Sequence, residues 1–276
     1  MIHALQKGIL FFDTAELYGT YPHIRMLLEE CPKAVIATKS YAWNRETAEE
    51  SFLKAVQGIG RDYIDVFLLH EQESIHTIRG HWEAVEHLIR LKERGLIGAV
   101  GLSTHSVEAA RAALRFPEIQ VVHPLINMRG LGIQGGKRDE MVEAIANLAS
   151  TGRGVYAMKP LGGGHLIGNR REAIAWALAL PGVKSVAVGM QSEAEIDYNA
   201  ALFEGLEPSA DLEQATAGKE RRLLVHDWCR GCGSCVEVCK SDAIRVIDGK
   251  AAPDGNKCVL CGYCAAVCPD FCIKVI

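Results

Sequence analysis

Nine of the ten cysteines in this 276-residue chain crowd between Cys229 and Cys272, and eight of those nine form two runs of identical spacing. Cys229, Cys232, Cys235 and Cys239 read C-x2-C-x2-C-x3-C, and Cys258, Cys261, Cys264 and Cys268 repeat it 29 residues later. A segment so dense in cysteine is stapled by disulfides or by metal. Disulfides need an oxidising compartment. The opening Met-Ile-His-Ala-Leu-Gln-Lys-Gly has no basic region followed by an apolar core and a small-residue cleavage site. The longest apolar runs, such as 35–37 and 66–69, are far too short to span a bilayer. Metal is therefore the expected staple, and a cytoplasmic location with no membrane partner is the expectation for the chain.

The double run resembles bacterial two-cluster ferredoxins, in which the fourth cysteine of each run ligates the other cluster. That resemblance implies two [4Fe–4S] clusters, one on Cys229, Cys232, Cys235 and Cys268, the other on Cys258, Cys261, Cys264 and Cys239. Gly231, Gly233 and Gly262 permit the tight turns between ligands. A pair of zinc sites is the alternative, although triple C-x2-C-x2-C runs are not zinc-ribbon spacing. Pro269 follows the second run as the family pattern has it, whereas Lys240 stands in that place after the first. Cys31 and Cys272 read as small buried apolar residues. Two clusters in one module imply one-electron transfer.

The rest of the chain has another character. The whole chain, with 49% hydrophobic and 23% charged residues, is neither disordered, collagen-like nor a coiled coil. Its 30 basic against 34 acidic side chains, net charge −4, argue against nucleic acid as a partner. Apolar runs at 8–13, 34–39, 63–70, 97–103, 119–127, 154–159 and 183–189 have the composition of buried parallel strands. Between them, 46–56, 82–92, 139–148, 170–180 and 192–203 carry apolar residues three and four apart, as helices do. Ser192 with Glu195 predicts a capping box. Seven strand–helix units at about 29 residues each match the pace of an eight-unit (β/α)8 TIM barrel with one unit missing. The predicted fold is thus α/β. An N-terminally incomplete barrel occupies 1–205, a linker or surface helix 206–222, and a small α+β ferredoxin-like domain 223–276. Ile2, Leu5 and Ile9 mark a helical stripe that opens without a cap. Either the first strand is absent, or coding sequence upstream of Met1 supplies it.

Asp13 and Tyr18 follow the first strand, Lys39 ends the second and His70 ends the third. Ends of consecutive parallel strands lie side by side at one rim, where barrel active sites form. An ammonium beside a tyrosine lowers the phenol pKa and a carboxylate holds the ammonium, so Tyr18 would protonate a carbonyl oxygen with His70 orienting it. In this order and at these strand ends the four residues resemble the catalytic tetrad of the aldo-keto reductase family, over roughly residues 8–200. The resemblance implies carbonyl or alcohol redox on a small substrate with NAD(P)H. Its nicotinamide contacts would include Ser103 and Asn127, with Thr104 and His123 standing where the family has Asn and Gln. Gly162 and Gly163 lie in a Pro-Leu-Gly-x-Gly segment near the pyrophosphate, Gly189 follows the last strand, and Asn199 matches an adenine-side Asn. The segment from Gly189 to Glu195 has no Lys or Arg, and a carboxylate at Glu195 would repel a 2′-phosphate.

Barrel and clusters together imply an iron–sulfur oxidoreductase. NAD(P)H delivers electrons in pairs and each cluster takes one, so a redox partner protein is expected, a flavoprotein among the candidates. The alternative is an electron-transfer subunit whose barrel is an inactive docking scaffold.

Overall fold

The computed structural model describes residues 1–217, 222–270 and 272–275. Seven parallel strands succeed one another in a single sheet in chain order: β1 (Phe11–Asp13), β2 (Val35–Ser40), β3 (Ile64–Leu69), β4 (Ile97–Thr104), β5 (Val121–Pro124), β6 (Gly154–Met158) and β7 (Ser185–Ala187). The sheet curls into a nearly closed α/β barrel. Among the described residues β1 and β7 are not paired with each other. All seven apolar runs are strands, because each is rich enough in Val, Ile, Leu and Phe to be covered on both faces.

The two-residue period of a strand sorts the side chains. Ile36, Phe67, Leu69, Val100, Leu102, Val122 and Val155 point outward into one large core beneath the helices. Ala37, Leu68 and Tyr156, with Phe11, Val66, Val121 and Ala187, point inward and plug the barrel. Asp13, Lys39, His70, Ser103 and His123 share the inward parity.

The predicted helices are present as Arg45–Ile59, Trp82–Glu93, Arg138–Ser150, Arg170–Leu178 and Glu193–Phe203. Sequence periodicity passed over three more, at Tyr21–Glu30, Ile75–Gly80 and Val107–Ala112. The opening stripe needs correction. The first helix covers only Ile2–Gln6, and Gly8, at φ 78°, turns the chain before Ile9. Only half of the Ser192 capping box forms. Ser192 Oγ accepts the Glu195 N–H at 3.2 Å, while the Glu195 carboxylate accepts from the Gln191 N–H one residue too early. Within 206–222, a short helix covers Ala210–Ala215 behind a Ser209 cap. Residues 218–221 of that predicted linker lie outside the described residues.

The C-terminal segment folds as two similar halves. β8 (Leu223–Val225) pairs antiparallel with β11 (Ile273–Val275), and β9 (Ile244–Ile247) with β10 (Lys250–Pro253). In each half a glycine in the left-handed region, Gly233 at φ 86° and Gly262 at φ 82°, turns the cysteine loop into a one-turn helix, Ser234–Glu237 or Tyr263–Ala266. Its small core is Cys235, Ile244, Ala251, Cys264, Cys268, Cys272 and Ile273. No helix among the described residues is long and apolar enough to cross a membrane.

Gly101 shows how tightly the barrel interior is filled. A Cβ there would lie 1.9 Å from the Val121 carbonyl oxygen and 2.8 Å from Leu68 Cδ2. Gly101→Ala is expected to cost about 3 kcal/mol of stability, the upper end for overpacking. A lowered urea midpoint at unchanged slope would show it, and an unmoved midpoint would refute it.

Candidate active site at the barrel mouth

Four elements converge at the C-terminal rim of the first three strands. β1 ends on Asp13, and a single 3-10 turn, Glu16–Tyr18, closed by Gly19 in the left-handed region, swings Tyr18 back over the mouth. Lys39 lies at the end of β2, and His70, just past β3, donates its N–H to the Ser40 carbonyl. Lys39 is 1% exposed, and its Nζ donates to Asp13 Oδ2 at 2.6 Å and to the Thr14 carbonyl at 2.8 Å. The same Nζ lies 5.3 Å from the centroid of the Tyr18 ring. His70 meets Tyr18 edge-on at 5.9 Å and stacks on Tyr41 at 4.6 Å. The structure thus brings Asp13, Tyr18, Lys39 and His70 together.

The electrostatics differ from the sequence argument at one point. Burial, then the carboxylates of Asp13 and Glu71, push the Tyr18 phenol pKa up. Lys39 was expected to draw it down, but its ammonium is already bonded to Asp13 and burial depresses its own pKa. Tyr18 therefore holds its proton at neutral pH. Burial first, and the Lys39 charge second, lower the pKa of His70 to about 3. The His70 ring is neutral, and its Nδ1 is buried with no hydrogen-bond partner among the described residues.

Sequence reasoning missed Tyr156 and placed His123 at a nicotinamide position, whereas both support Asp13. The Tyr156 hydroxyl donates to Asp13 Oδ1 at 2.9 Å, so both carboxylate oxygens are bonded. His123, stacked on Tyr156 at 3.8 Å with its Nδ1 bonded to the Tyr156 carbonyl oxygen, brings Nε2 to 3.7 Å from Asp13. Burial lowers its pKa to about 4. A Tyr at an inward position of an apolar strand was the available signal for Tyr156; its partner lies 143 residues away.

The residues expected to hold a nicotinamide nucleotide do not form one open surface. Ser103 is fully buried and its Oγ accepts the Glu71 N–H at 2.9 Å. Asn127 is fully buried, its amide bonded at both ends to the Leu131 backbone at 2.9 Å. A Cβ on Gly163 would lie 1.8 Å from the Val259 carbonyl oxygen, and one on Gly162 would touch Leu131. Asn199 is buried within its helix, and Gly189 is exposed.

Val259 belongs to the second cysteine run, so the C-terminal segment sits on the barrel mouth. The His165 ring contacts the Cys258 carbonyl, Lys240 Nζ reaches Glu73 at 2.6 Å, and the Tyr263 hydroxyl donates to Glu71 Oε1 at 3.1 Å. Two cavities divide the cysteines. One is lined by Cys229, Cys232, Cys235 and Cys268. The other is lined by Cys239, Cys258, Cys261 and Cys264, together with Glu71 and His105 of the barrel. Among the described residues no group of three or more His, Cys, Asp or Glu side chains is placed to hold a metal ion. The thiols instead surround cavities, an arrangement that fits a polynuclear cluster better than one tetrahedral zinc. Cys272 is buried as expected, and it also lines the first cavity, with Sγ 3.2 Å from that of Cys268.

Comparison with known proteins gives two matching families. Residues 1–173 match the aldo/keto reductase family, and residues 224–245 match a 4Fe-4S binding domain. The probable aldo-keto reductase 1 of Glycine max is 26% identical over 231 residues, 78% of this chain and 62% of the relative. One component of the ion-translocating oxidoreductase complex of Methanosarcina acetivorans is 38% identical over 58 residues, 21% of this chain and 22% of the relative. The chain therefore spans about three-fifths of the first relative's length and about a fifth of the second's. A solved aldo-keto reductase from Bacillus halodurans shares the fold with a TM-score of 0.62 at 21% identity, covering 79% of this chain and 84% of that one.

The buried neutral His70 carries a pH signature. The unfolded chain protonates this imidazole near its ordinary value of 6.5, and the folded chain only near 3. Between those limits the unfolded state binds more protons, so stability falls as pH is lowered. His70→Gln is expected to lose less stability than the parent between about pH 7 and about pH 5. Equal losses in urea titrations would count against a neutral buried His70.

Proposed function

Because the chain belongs to the aldo/keto reductase family and carries a 4Fe-4S binding domain, we propose that it interconverts small carbonyl compounds and alcohols at Tyr18, Lys39, Asp13 and His70. The observation that supports this most directly is the buried Lys39–Asp13 pair set beneath Tyr18 and beside His70. Tyr18 keeps its proton at neutral pH and presents it at the mouth, where it would pass to the carbonyl oxygen. The ammonium of Lys39 stabilises the phenolate left behind. Asp13, bonded at both oxygens, holds Lys39 in place. The neutral ring of His70 orients the carbonyl. Residues 1–205 are the catalytic body, 206–222 the tether, and 223–276 the electron-transfer module.

The cysteines fit two clusters. Cys229, Cys232, Cys235 and Cys268 would hold one, and Cys239, Cys258, Cys261 and Cys264 the other. Clusters bound there supply electrons one at a time. A redox partner protein, a flavoprotein among the candidates, would exchange electrons with the module. The likeness of one short stretch to a component of an ion-translocating oxidoreductase complex favours such a partner.

NAD(P)H, the hydride donor the family suggests, fits less well. Ser103 and Asn127 are spent on the protein's own backbone, and Gly163 is covered by Val259. That observation favours a second reading, an electron-transfer subunit whose barrel is a catalytically inactive docking scaffold.

Tyr18→Phe separates the two. In anoxically reconstituted protein it is expected to lower carbonyl turnover by about a hundredfold to ten-thousandfold, the contribution of general acid catalysis, without altering the cluster absorbance. Turnover unchanged by Tyr18→Phe would leave the scaffold reading. In the same preparation Cys235→Ala should remove about half of the bound iron, as expected if the eight cysteines hold two separate clusters. Full iron retention would contradict the assignment of Cys235.

A further inference from the structure

The glycine loop past β6, where the family would seat a nucleotide, is covered by Val259 of the second cysteine loop, and one residue joins that loop to the tetrad. Glu71 follows His70 directly, in the left-handed region at φ 47°, a strained conformation for a glutamate. Its N–H is held by Ser103 Oγ. Its Oε1 accepts from Tyr263, which lies between Cys261 and Cys264, and its Oε2 accepts from Tyr41 at 2.7 Å. Tyr41 stacks on His70, and His70 meets Tyr18. An unbroken chain of hydrogen bonds and ring contacts thus runs from the second cysteine set to the tetrad. The seating is built from several contacts: His165 on Cys258, Lys240 on Glu73 and Gly163 under Val259.

We propose that electrons reach the barrel site from the second cysteine set through the Tyr263–Glu71–Tyr41 joint, in place of a nicotinamide hydride, and that the substrate is a planar conjugated dicarbonyl of the quinone class. This rests on the reading of the tetrad as the reaction site. Electrons arriving singly require an acceptor whose one-electron state is spread over a conjugated system, which an isolated ketone does not offer. The rim suits a flat ring: Tyr18 and Tyr41, which flank His70, are 47% and 46% exposed. The balance closes without hydride. Two electrons and two protons convert both carbonyl groups to hydroxyls as the ring becomes aromatic. One proton comes through Tyr18 and one from solvent. The electrons enter the module from a low-potential one-electron carrier protein, for which dithionite stands in below.

The test uses the full chain, reconstituted anoxically. Titration with NADH and with NADPH, followed by nucleotide fluorescence, is expected to show no saturable binding. Protein reduced with dithionite and freed of excess is then mixed with duroquinone, while cluster absorbance and electron paramagnetic resonance are recorded. Reoxidation is expected to saturate with duroquinone. Glu71→Gln is expected to slow it by about tenfold and to change the resonance of one cluster only. Tyr263→Phe removes a single hydroxyl and is expected to act in the same direction, should Glu71→Gln fail to fold. Saturable nucleotide binding overturns the proposal, as does reoxidation linear in duroquinone and equal in both variants. Carbonyl turnover that needs NAD(P)H and is lost in Tyr18→Phe would sink this inference while leaving the reductase reading in place.

Discussion

The ion pair between Lys39 and Asp13 is the constraint around which the barrel mouth is arranged. An ammonium buried this deeply costs several kcal/mol in lost hydration, and removing its partner leaves that cost uncompensated. Everything nearby serves to keep the pair satisfied. Thr14 offers a carbonyl, Tyr156 bonds the second carboxylate oxygen, and His123 stands neutral behind it. A pair held only for stability would be replaceable by apolar side chains at little loss. Its place beneath Tyr18, beside a second neutral imidazole, is what gives the arrangement chemical meaning.

The second constraint is the seam between the two parts of the chain. The glycine loop past β6 is the clearest part of it. Here that loop lies under the backbone of Val259, close enough that any side chain on Gly163 would clash. The cavity lined by the second cysteine set takes part of its wall from Glu71 and His105. The small module and the barrel therefore share a surface at the C-terminal rim of the strands, and the second cysteine cavity is walled in part by barrel residues.

Much of this was legible in the residues. The seven strands announce themselves because each centres on a short apolar cluster set between helical stretches, and the cysteine spacing speaks for itself. The helix at Tyr21–Glu30 was also written there, in a proline at its second position and in Ile24, Leu27 and Leu28 at helical spacing, but a ten-residue amphipathic stretch competes poorly with longer neighbours. Tyr156 and the Glu71–Tyr263 contact were out of reach for another reason. Their partners are 143 and 192 residues away, and no local pattern encodes which loop covers which rim. The phenol pKa went the other way from the sequence argument because burial depth is a property of the folded packing alone.

Strand parity has a further consequence for how such a chain can change over time. Asp13, Lys39, His70 and His123 meet because each sits an even number of residues from an inward-facing apolar neighbour on its own strand. Substitutions along β2 alter one side chain at a time. A one-residue insertion or deletion between Val35 and Lys39 would instead turn Lys39 outward and Thr38, now bonded to Tyr21 beneath the helices, inward. The strands that carry the site should therefore drift in identity while staying fixed in length, and length variation should be confined to the loops away from the mouth.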